Sequence, residues 1–388
     1  MAEATRISRT NLLLASLKLG FIGFGGGMAV LSLMHREFVE KRKTCDEECF
    51  LDAAALSQAL PGAISFNAMC FLGLSMRGFW GATLASWGFM LPSFLIMIGL
   101  SMVYESFGHL AVASRMMHGM VAGVVGIILA VAWDLAGKGA TRCRRGWIIA
   151  TVAFLATLLG VGVVEIVLGC GVAGMFLCAS DHSGTSDGPA CPRAVPAVAG
   201  GLKTLAPVLL GAVGSLAVLW ALALLFFRIG LVTFGGGFVM IPMLQSEVVN
   251  GHHWLTAKEF SDGMALGQLT PGPVVITATF VGYKVAGLLG AWVASTAVFM
   301  PSYLLSLGFG YSLDRWKSNP GVAAFMGGVQ PAVVGLMGGA AIVLGRAGFH
   351  HWAGPIIAAL CALLLIRFRM SPIWIILATA VVGLFLKS

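Results

Sequence analysis

Residues 18–27 read KLGFIGFGGG and residues 228–237 read RIGLVTFGGG. The agreement continues without a gap at an offset of 210: Glu37 falls on Glu247, Phe50 on Phe260, Asp52 on Asp262, Gln58 on Gln268, and Pro61-Gly62 on Pro271-Gly272. One residue is then lost. At an offset of 209, Gly81 pairs with Gly290, Pro92-Ser93 with Pro301-Ser302, and Gly126 with Gly335. A colinear repeat of this length means two homologous halves, so any fold proposed for one half must serve the other. We place the halves at 10–178 and 205–387. The polar stretch SDHSGTSDGPACPRAVPAVAGG lies in the linker between them, over 179–204.

The solvent of these halves follows from composition. Of 388 residues 58% are hydrophobic and 10% charged, with a mean hydropathy of +0.93, whereas a soluble domain carries about 25% charge. Uncharged apolar runs at 79–103, 147–164, 204–227, 285–313 and 318–345 are about long enough to cross a bilayer core of roughly 30 Å as helices. The alternation of about 10-residue segments that marks membrane strands is missing. The expectation is an all-α integral membrane protein. The first apolar segment, near Asn11, has no small-residue cleavage site and is expected to insert, not to be removed.

The net charge of +8 fits the accumulation of Lys and Arg in cytoplasmic loops, and also attraction of an anionic solute. No basic stretch stands outside the apolar sequence, which excludes a nucleic-acid partner. The eight cysteines include no CxxC; Cys45 and Cys49 could serve as a metal or redox pair, but read more simply as reduced structural thiols.

Each half repeats one order of parts. An apolar segment broken by FGGG comes first. An amphipathic stretch then reaches Pro-Gly and resumes as a short helix. Two long apolar spans and two short apolar helices follow. Basic residues in equivalent loops are distributed oppositely. The loop after FGGG holds Arg36, Lys41, Arg42 and Lys43 in one half but Lys258 in the other. The loop after the second long span holds Lys138, Arg142, Arg144 and Arg145 in one half but Arg346 in the other. The positive-inside rule produces this pattern when repeats are inverted. With a re-entrant Pro-Gly segment, each half crosses about five times and the linker, with Arg193 and Lys203, is cytoplasmic. The N-terminus then falls outside, against the charges of Arg6 and Arg9.

Broken helices persist in a bilayer only where they are buried or line a wet cavity, because an unpaired backbone group there costs several kcal/mol. Pro61 removes a donor and Gly62 permits tight backbone. The helix resuming near Ala63, and its partner after Pro271-Gly272-Pro273, should therefore start with free N–H groups that favour anions. Polar side chains flank both breaks: Ser57, Gln58, Ser65 and Asn67 in one half, and Gln268, Thr270 and Thr277 in the other. Gly25, Gly26, Gly27 and Gly235, Gly236, Gly237 let backbone approach a ligand closely. Close helix packing is the competing reading of those glycines. FGGG has neither Rossmann spacing nor the Lys-Ser/Thr of a P-loop.

Lys18 and Arg228 are repeat mates inside apolar sequence and are candidates to hold an anion, with snorkelling to an interface as the alternative. Arg77 and Lys284 could funnel an anion or mark the membrane edge. Glu37, Asp52, Glu247 and Asp262 are candidate proton-coupling carboxylates. For Asp52 and Asp262 a place in the first turn of an amphipathic helix, next to its dipole, is the favoured reading. The histidines form no metal cluster, and no cofactor is expected.

The duplicated FGGG, ALSQALPGAISFN at 55–67, LGQLTPGPVVITATFVGYK at 266–284, the repeated Pro-Ser and VQPAVVGL at 329–336 resemble the chromate ion transporter family over about 10–387. The resemblance implies two chromate-transporter repeats of opposite orientation in a bacterial inner-membrane secondary transporter. It implies outward movement of chromate, and with it chromate resistance. Sulfate, another tetrahedral dianion, is the alternative substrate. Ala63 stands where the second half has Pro273, and HGMVAGVVGI at 118–127 lacks a mate for Pro331. The halves therefore need not contribute equally.

The expected function is export of chromate between the two pairs of breaks, driven by an ion or counter-solute gradient. An oxyanion importer or an anion channel on the same fold is the rival. No HExxH, GxSxG or carboxylate cluster supports an enzyme. Beyond the lipid bilayer and the transported anion, the sequence leaves a homodimer open.

Overall fold

The computed structural model describes residues 7–24, 26–108, 110–137, 144–177, 212–234, 237–310, 320–349, 352–368 and 370–385, and these are helical with no strand among them. The linker at 179–204, and Gly25, Gly235 and Gly236, lie outside the described residues.

In the first half α1 (Arg9–Ile22) begins at Ser8, whose hydroxyl accepts from the Asn11 N–H at 3.2 Å. After Gly23-Phe24 come α2 (Gly26–His35), a π-helical turn (Arg36–Lys41) and α3 (Glu47–Ala59). Past Pro61-Gly62 follow α4 (Ile64–Phe107), α5 (Ala111–Leu135), α6 (Arg144–Leu158) and α7 (Val163–Leu177). The second half repeats the series: α8 (Ala212–Val232), α9 (Met240–Leu244), a π-helical turn (Gln245–Gly251) and α10 (Ala257–Leu269). Beyond Pro271-Gly272 lie a 3-10 turn (Val274–Ile276), α11 (Thr277–Gly310), α12 (Pro320–Gly348), α13 (Ala353–Phe368) and α14 (Pro372–Phe385).

The caps of α3 and α10 correct the sequence expectation for two carboxylates. Asp46 caps α3 by accepting from the Cys49 N–H at 2.9 Å. Thr256 caps α10 in a reciprocal capping box with Glu259. Asp46 and Thr256 are themselves repeat mates, and Asp52 and Asp262 lie further along their helices, past the first turn where the dipole acts.

A straight helix of 44 residues such as α4 would extend about 66 Å, twice the bilayer core. It is instead a hairpin. Arg77 (φ −145°, ψ 18°) and Gly78 (φ 62°, ψ −152°) leave helical geometry. A Cβ built on Gly81 would lie 2.1 Å from the Gly73 carbonyl oxygen. Residues eight apart in a continuous helix are separated by about 12 Å, so the chain has turned back on itself. α11 does the same at Ala286-Gly287, with Gly282 against Gly290, and Thr279 Oγ1 2.7 Å from Ser295 Oγ. The short helix and long span expected from sequence are thus the two limbs of one hairpin in each half.

The halves interlock. α1 packs on α4 and α8 on α11 within each half. Between halves, α5 packs on α13 and α14, and α12 packs on α6 and α7. α4 meets α11 and α5 meets α12. Exchanging the halves leaves this pattern unchanged. Small residues make the contacts close: a Cβ on Gly119 would lie 2.0 Å from the Thr379 carbonyl, and one on Gly328 2.0 Å from that of Cys170. Phe66 and Phe299 meet across the central contact at 4.8 Å, and Thr83 Oγ1 lies 2.6 Å from the Tyr303 hydroxyl.

Four helical stretches, 64–107, 112–135, 274–310 and 327–348, are long and apolar enough to cross a membrane. α6, α7, α13 and α14 have 15, 15, 16 and 14 residues, short of the roughly 20 that a perpendicular span needs. The expected five crossings per half therefore depend on these short helices as well. Leu14, Phe21, Trp80, Trp220, Trp292 and Trp374 are among many exposed large apolar side chains, a surface suited to lipid.

Candidate functional site

The two Pro-Gly breaks are docked reciprocally, each into the opposite half. The Gly62 N–H donates to the Thr233 carbonyl at the end of α8. The Gly272 N–H donates to the Gly23 carbonyl at the end of α1, at 2.8 Å. Gly23 and Thr233 are repeat mates, as are Gly62 and Gly272. Both glycines have positive φ, +105° and +96°, where a side chain is strained. Each also lies on a serine of the other half: a Cβ on Gly62 would strike Ser302, and one on Gly272 would strike Ser93. The third glycine of each FGGG rests on the resumed helix of its own half, Gly27 on Ile64 and Gly237 (φ +95°) on Val275. Gly26 opens α2.

Most hydroxyls and amides predicted from sequence bond to backbone. Ser57 Oγ and Gln58 Nε2 donate to the Ala54 carbonyl at 2.8 and 3.1 Å. Asn67 Nδ2 donates to the Pro61 carbonyl at 3.1 Å, and its Oδ1 accepts from Ser306 Oγ at 3.4 Å. Thr277 Oγ1 donates to the Val274 carbonyl at 3.1 Å. Thr270 Oγ1 bonds to the Leu266 carbonyl at 3.0 Å and to Met97 Sδ at 3.5 Å. Ser65 is buried at the start of α4.

The exceptions gather at the second break. Gln268 Nε2 and Ser93 Oγ are buried with no hydrogen-bond partner among the described residues. Ser93 lies against Gly272 and is one helical turn before Met97, which touches Thr270. At the first break, Ser302 Oγ donates to the Pro61 carbonyl at 3.3 Å and Gln58 is exposed. Two donors without acceptors, buried where the halves meet, suit a ligand rich in oxygen.

The paired cations differ in the same sense. Lys18 Nζ lies 3.0 Å from Glu37 Oε2, and Arg42 Nε lies 2.7 Å from Glu37 Oε1. Burial raises the Glu37 pKa, but the bonds and charges of Arg42 and Lys18 outweigh it and hold the carboxyl below its ordinary value. In the second half Arg228 and Glu247 are not ion-paired to each other among the described residues. They line a cavity of about 250 Å³ with Gln245, Asn250 and, from the first half, Glu165. Gln245 Oε1 is buried there without a partner.

Asp262 is buried (1% exposed) and accepts from the Tyr104 hydroxyl of the first half at 2.8 Å. Its mate Asp52 lines a cavity beside α3. Arg77 Nε is bonded to the Ile7 carbonyl at 2.5 Å, and Lys284 pairs with Glu259 at 3.0 Å; both mark helix ends. Near Asp52, the neighbouring Cys45 thiol holds the Cys49 thiol below its ordinary value, while Cys45 Sγ lies 3.4 Å from the Asp46 carbonyl oxygen.

Sequence reasoning missed Ser93, Ser302 and Tyr104 as site residues. The repeated Pro-Ser at 92–93 and 301–302 was a signal for the first two. Nothing marks Tyr104, whose repeat position is Leu313.

Comparison with known proteins agrees with this duplicated architecture. The sequence profile of the family described as Chromate transporter matches residues 10–175 and again 220–384. The chain is 33% identical over 379 residues to the chromate transport protein of Cupriavidus metallidurans, covering 96% of this chain and 92% of that one. It is 34% identical to a probable chromate transport protein of Synechococcus elongatus, over 86% of this chain and 84% of the other. A chromate transport protein of Pseudomonas aeruginosa is 32% identical over 88% of this chain and 82% of its own length. No solved structure matches the chain.

Proposed function

Because this chain belongs to the chromate transporter family, a family of transport proteins and not of enzymes, we propose that it exports chromate across the bacterial inner membrane as a secondary transporter. The observation that carries the site is the pair of orphaned donors, Ser93 Oγ and Gln268 Nε2, at the second break. Chromate is a tetrahedral dianion that accepts hydrogen bonds on four oxygens and donates none. Ser93 and Gln268 bind it beside Thr270 and Gly272, and bound oxygens satisfy groups whose burial otherwise costs about 1–3 kcal/mol each. Sulfate has the same shape and charge and competes at this site.

The halves are inverted in this reading, as the opposed loop charges require. Transport alternates between two arrangements in which the Pro-Gly arms of the halves exchange roles. Asp262, buried against Tyr104, and Glu247, in the Arg228 cavity, are the carboxylates placed to exchange a coupling proton.

Reconstitution into proteoliposomes with an imposed pH or sulfate gradient tests the proposal. Wild-type protein is expected to drive chromate against its gradient. Ser93→Ala and Gln268→Leu should each slow transport about tenfold or more, equivalent to roughly 1.4 kcal/mol. Wild-type rates in both variants would remove the site from this break. Flux that follows voltage and shows no counter-flow would identify a channel. Asp262→Asn should abolish the response to a pH gradient while leaving sulfate-driven exchange measurable.

A further inference from the structure

Cys45 and Cys49 are four residues apart, without the CxxC spacing of a metal or redox motif. The fold nevertheless brings them together. Cys45 is the last residue but one before α3, Asp46 caps the helix, and Cys49 lies in its first turn. One helical turn therefore aligns a thiol on the incoming chain with a thiol on the helix, and puts a carboxylate between them in sequence. The two sulfurs and an Asp46 carboxylate oxygen all lie within 4.8 Å of one another. Asp46 Oδ1 accepts the Cys49 N–H at 2.9 Å, so one carboxylate oxygen is already oriented.

We propose that Cys45, Asp46 and Cys49 form a binding site for a thiophilic divalent cation of the zinc class. Two sulfurs and one oxygen are a donor set that zinc and cadmium accept, with a fourth position open to solvent. Sulfurs bound at about 2.3 Å to a tetrahedral ion stand near 4 Å apart, so the observed cluster needs only a small contraction. Glu47 and Glu48 follow Asp46 directly and offset the charges of Lys41, Arg42 and Lys43 ahead of Cys45.

A second observation is that one of the three ligands is open to a cavity. Cys49 lines a cavity of about 360 Å³ together with Asp52, Ser75, Phe71, Leu74 and Gly310. Cys45, by contrast, is buried at 6% exposure and so is shielded from bulk reagents. The site is separate from the Pro-Gly breaks and is independent of which anion the protein carries. Bound metal staples the connection after the Arg36–Lys41 turn to the start of α3, next to the ion-paired Glu37.

The test uses the full-length protein, purified in detergent with reductant and stripped with a chelator. Cadmium is titrated and followed by thiolate-to-metal charge-transfer absorption; zinc is then added in competition. One equivalent of cadmium should bind, displaced by zinc. Asp46→Asn should weaken binding about ten- to a hundredfold, and Cys49→Ser should eliminate the charge-transfer signal. Each variant's elution profile and chromate transport should match wild type, which separates loss of the site from loss of the fold. Absence of the signal in reduced wild type, or its survival at full strength in Cys49→Ser, overturns the proposal.

Discussion

The arms at 27–60 and 237–270 align without a gap yet sit differently in the molecule. α10 lies among α5, α11, α12 and α14, and the run Phe260–Gly267 is buried throughout. α3 has α4 as its main partner among the described residues, and Leu51, Ala55 and Gln58 are exposed. α9 is wholly buried, whereas α2 presents Met28 at 51% exposure. Ion pairing follows the same division. Glu37 is clasped by Lys18 and Arg42, while its mate Glu247 faces a cavity with Arg228. Two copies of one design, one inserted and one peripheral, fit the proposal that the halves exchange roles during transport.

The difference has a cause in the sequence. α10 carries Gly263 and Gly267 four residues apart, where α3 carries Ala53 and Ser57. A Cβ on Gly263 would lie 2.4 Å from the Phe280 ring, and one on Gly267 2.1 Å from Thr277 Cγ2. Small residues at this spacing let a helix seat closely on its neighbour. Converting Gly263→Ala and Gly267→Ser together gives α10 the surface of α3. The double variant should lose about 3 kcal/mol of stability through overpacking, read as a fall in thermal unfolding temperature in detergent, and should stop transport. The reverse change, Ala53→Gly with Ser57→Gly, should cost about 1.5 kcal/mol in helix propensity. Equal losses in both directions would show that the glycines do not set the difference.

The sequence made the repeat, the helical class and the positions of the breaks legible, because glycine, proline and apolar runs have strong local meanings. The hairpin turn was not. Only Gly78 and Gly287 mark it, and the residue before is Arg77 in one half and Ala286 in the other. Cross-docking of the breaks was also hidden, since Gly62 to Thr233 and Gly272 to Gly23 are backbone bonds that no side chain announces. The Gly62 and Gly272 N–H groups thus used lie just ahead of the resumed helices, whose own first N–H groups are the ones expected to favour an anion. Polar side chains around the breaks were visible, but which of them bond to backbone and which are left over depends on the fold.

The two breaks should also differ in tolerance. On Gly62 a Cβ would overlap Ser302 Oγ and lie 2.7 Å from its Cβ, and Ser302 is bonded to Pro61. On Gly272 it would lie 2.4 Å from Ser93 Oγ but 3.3 Å from Ser93 Cβ, and that hydroxyl has no bond to lose. Gly62→Ala should therefore cost about 2–3 kcal/mol and Gly272→Ala about 1–2, both including the strain of positive φ. Thermal unfolding of the two variants checks the order. A larger loss at Gly272 would mean that Ser93 is more constrained than its missing partner implies.

The carboxylates give the smallest and most selective contrast. Glu37 has a folded pKa below its ordinary value, held there by Arg42 and Lys18 against the effect of burial. A depressed carboxyl contributes stability that is present above the unfolded pKa and is lost as the pH falls through the folded pKa. Wild type should therefore lose stability on acidification below the ordinary Glu range, and Glu37→Gln should remove that part of the acid limb. Because the Lys18 side chain is 48% exposed and that of Arg42 30%, solvent screens both partners and the loss at neutral pH should be only about 1 kcal/mol. Glu247→Gln breaks no ion pair among the described residues and should change stability by less than about 0.5 kcal/mol, while altering the pH dependence of transport. If Glu247→Gln reshapes the stability profile as Glu37→Gln does, the halves are electrostatically alike in solution, and the division between a clasped and an open carboxylate does not hold.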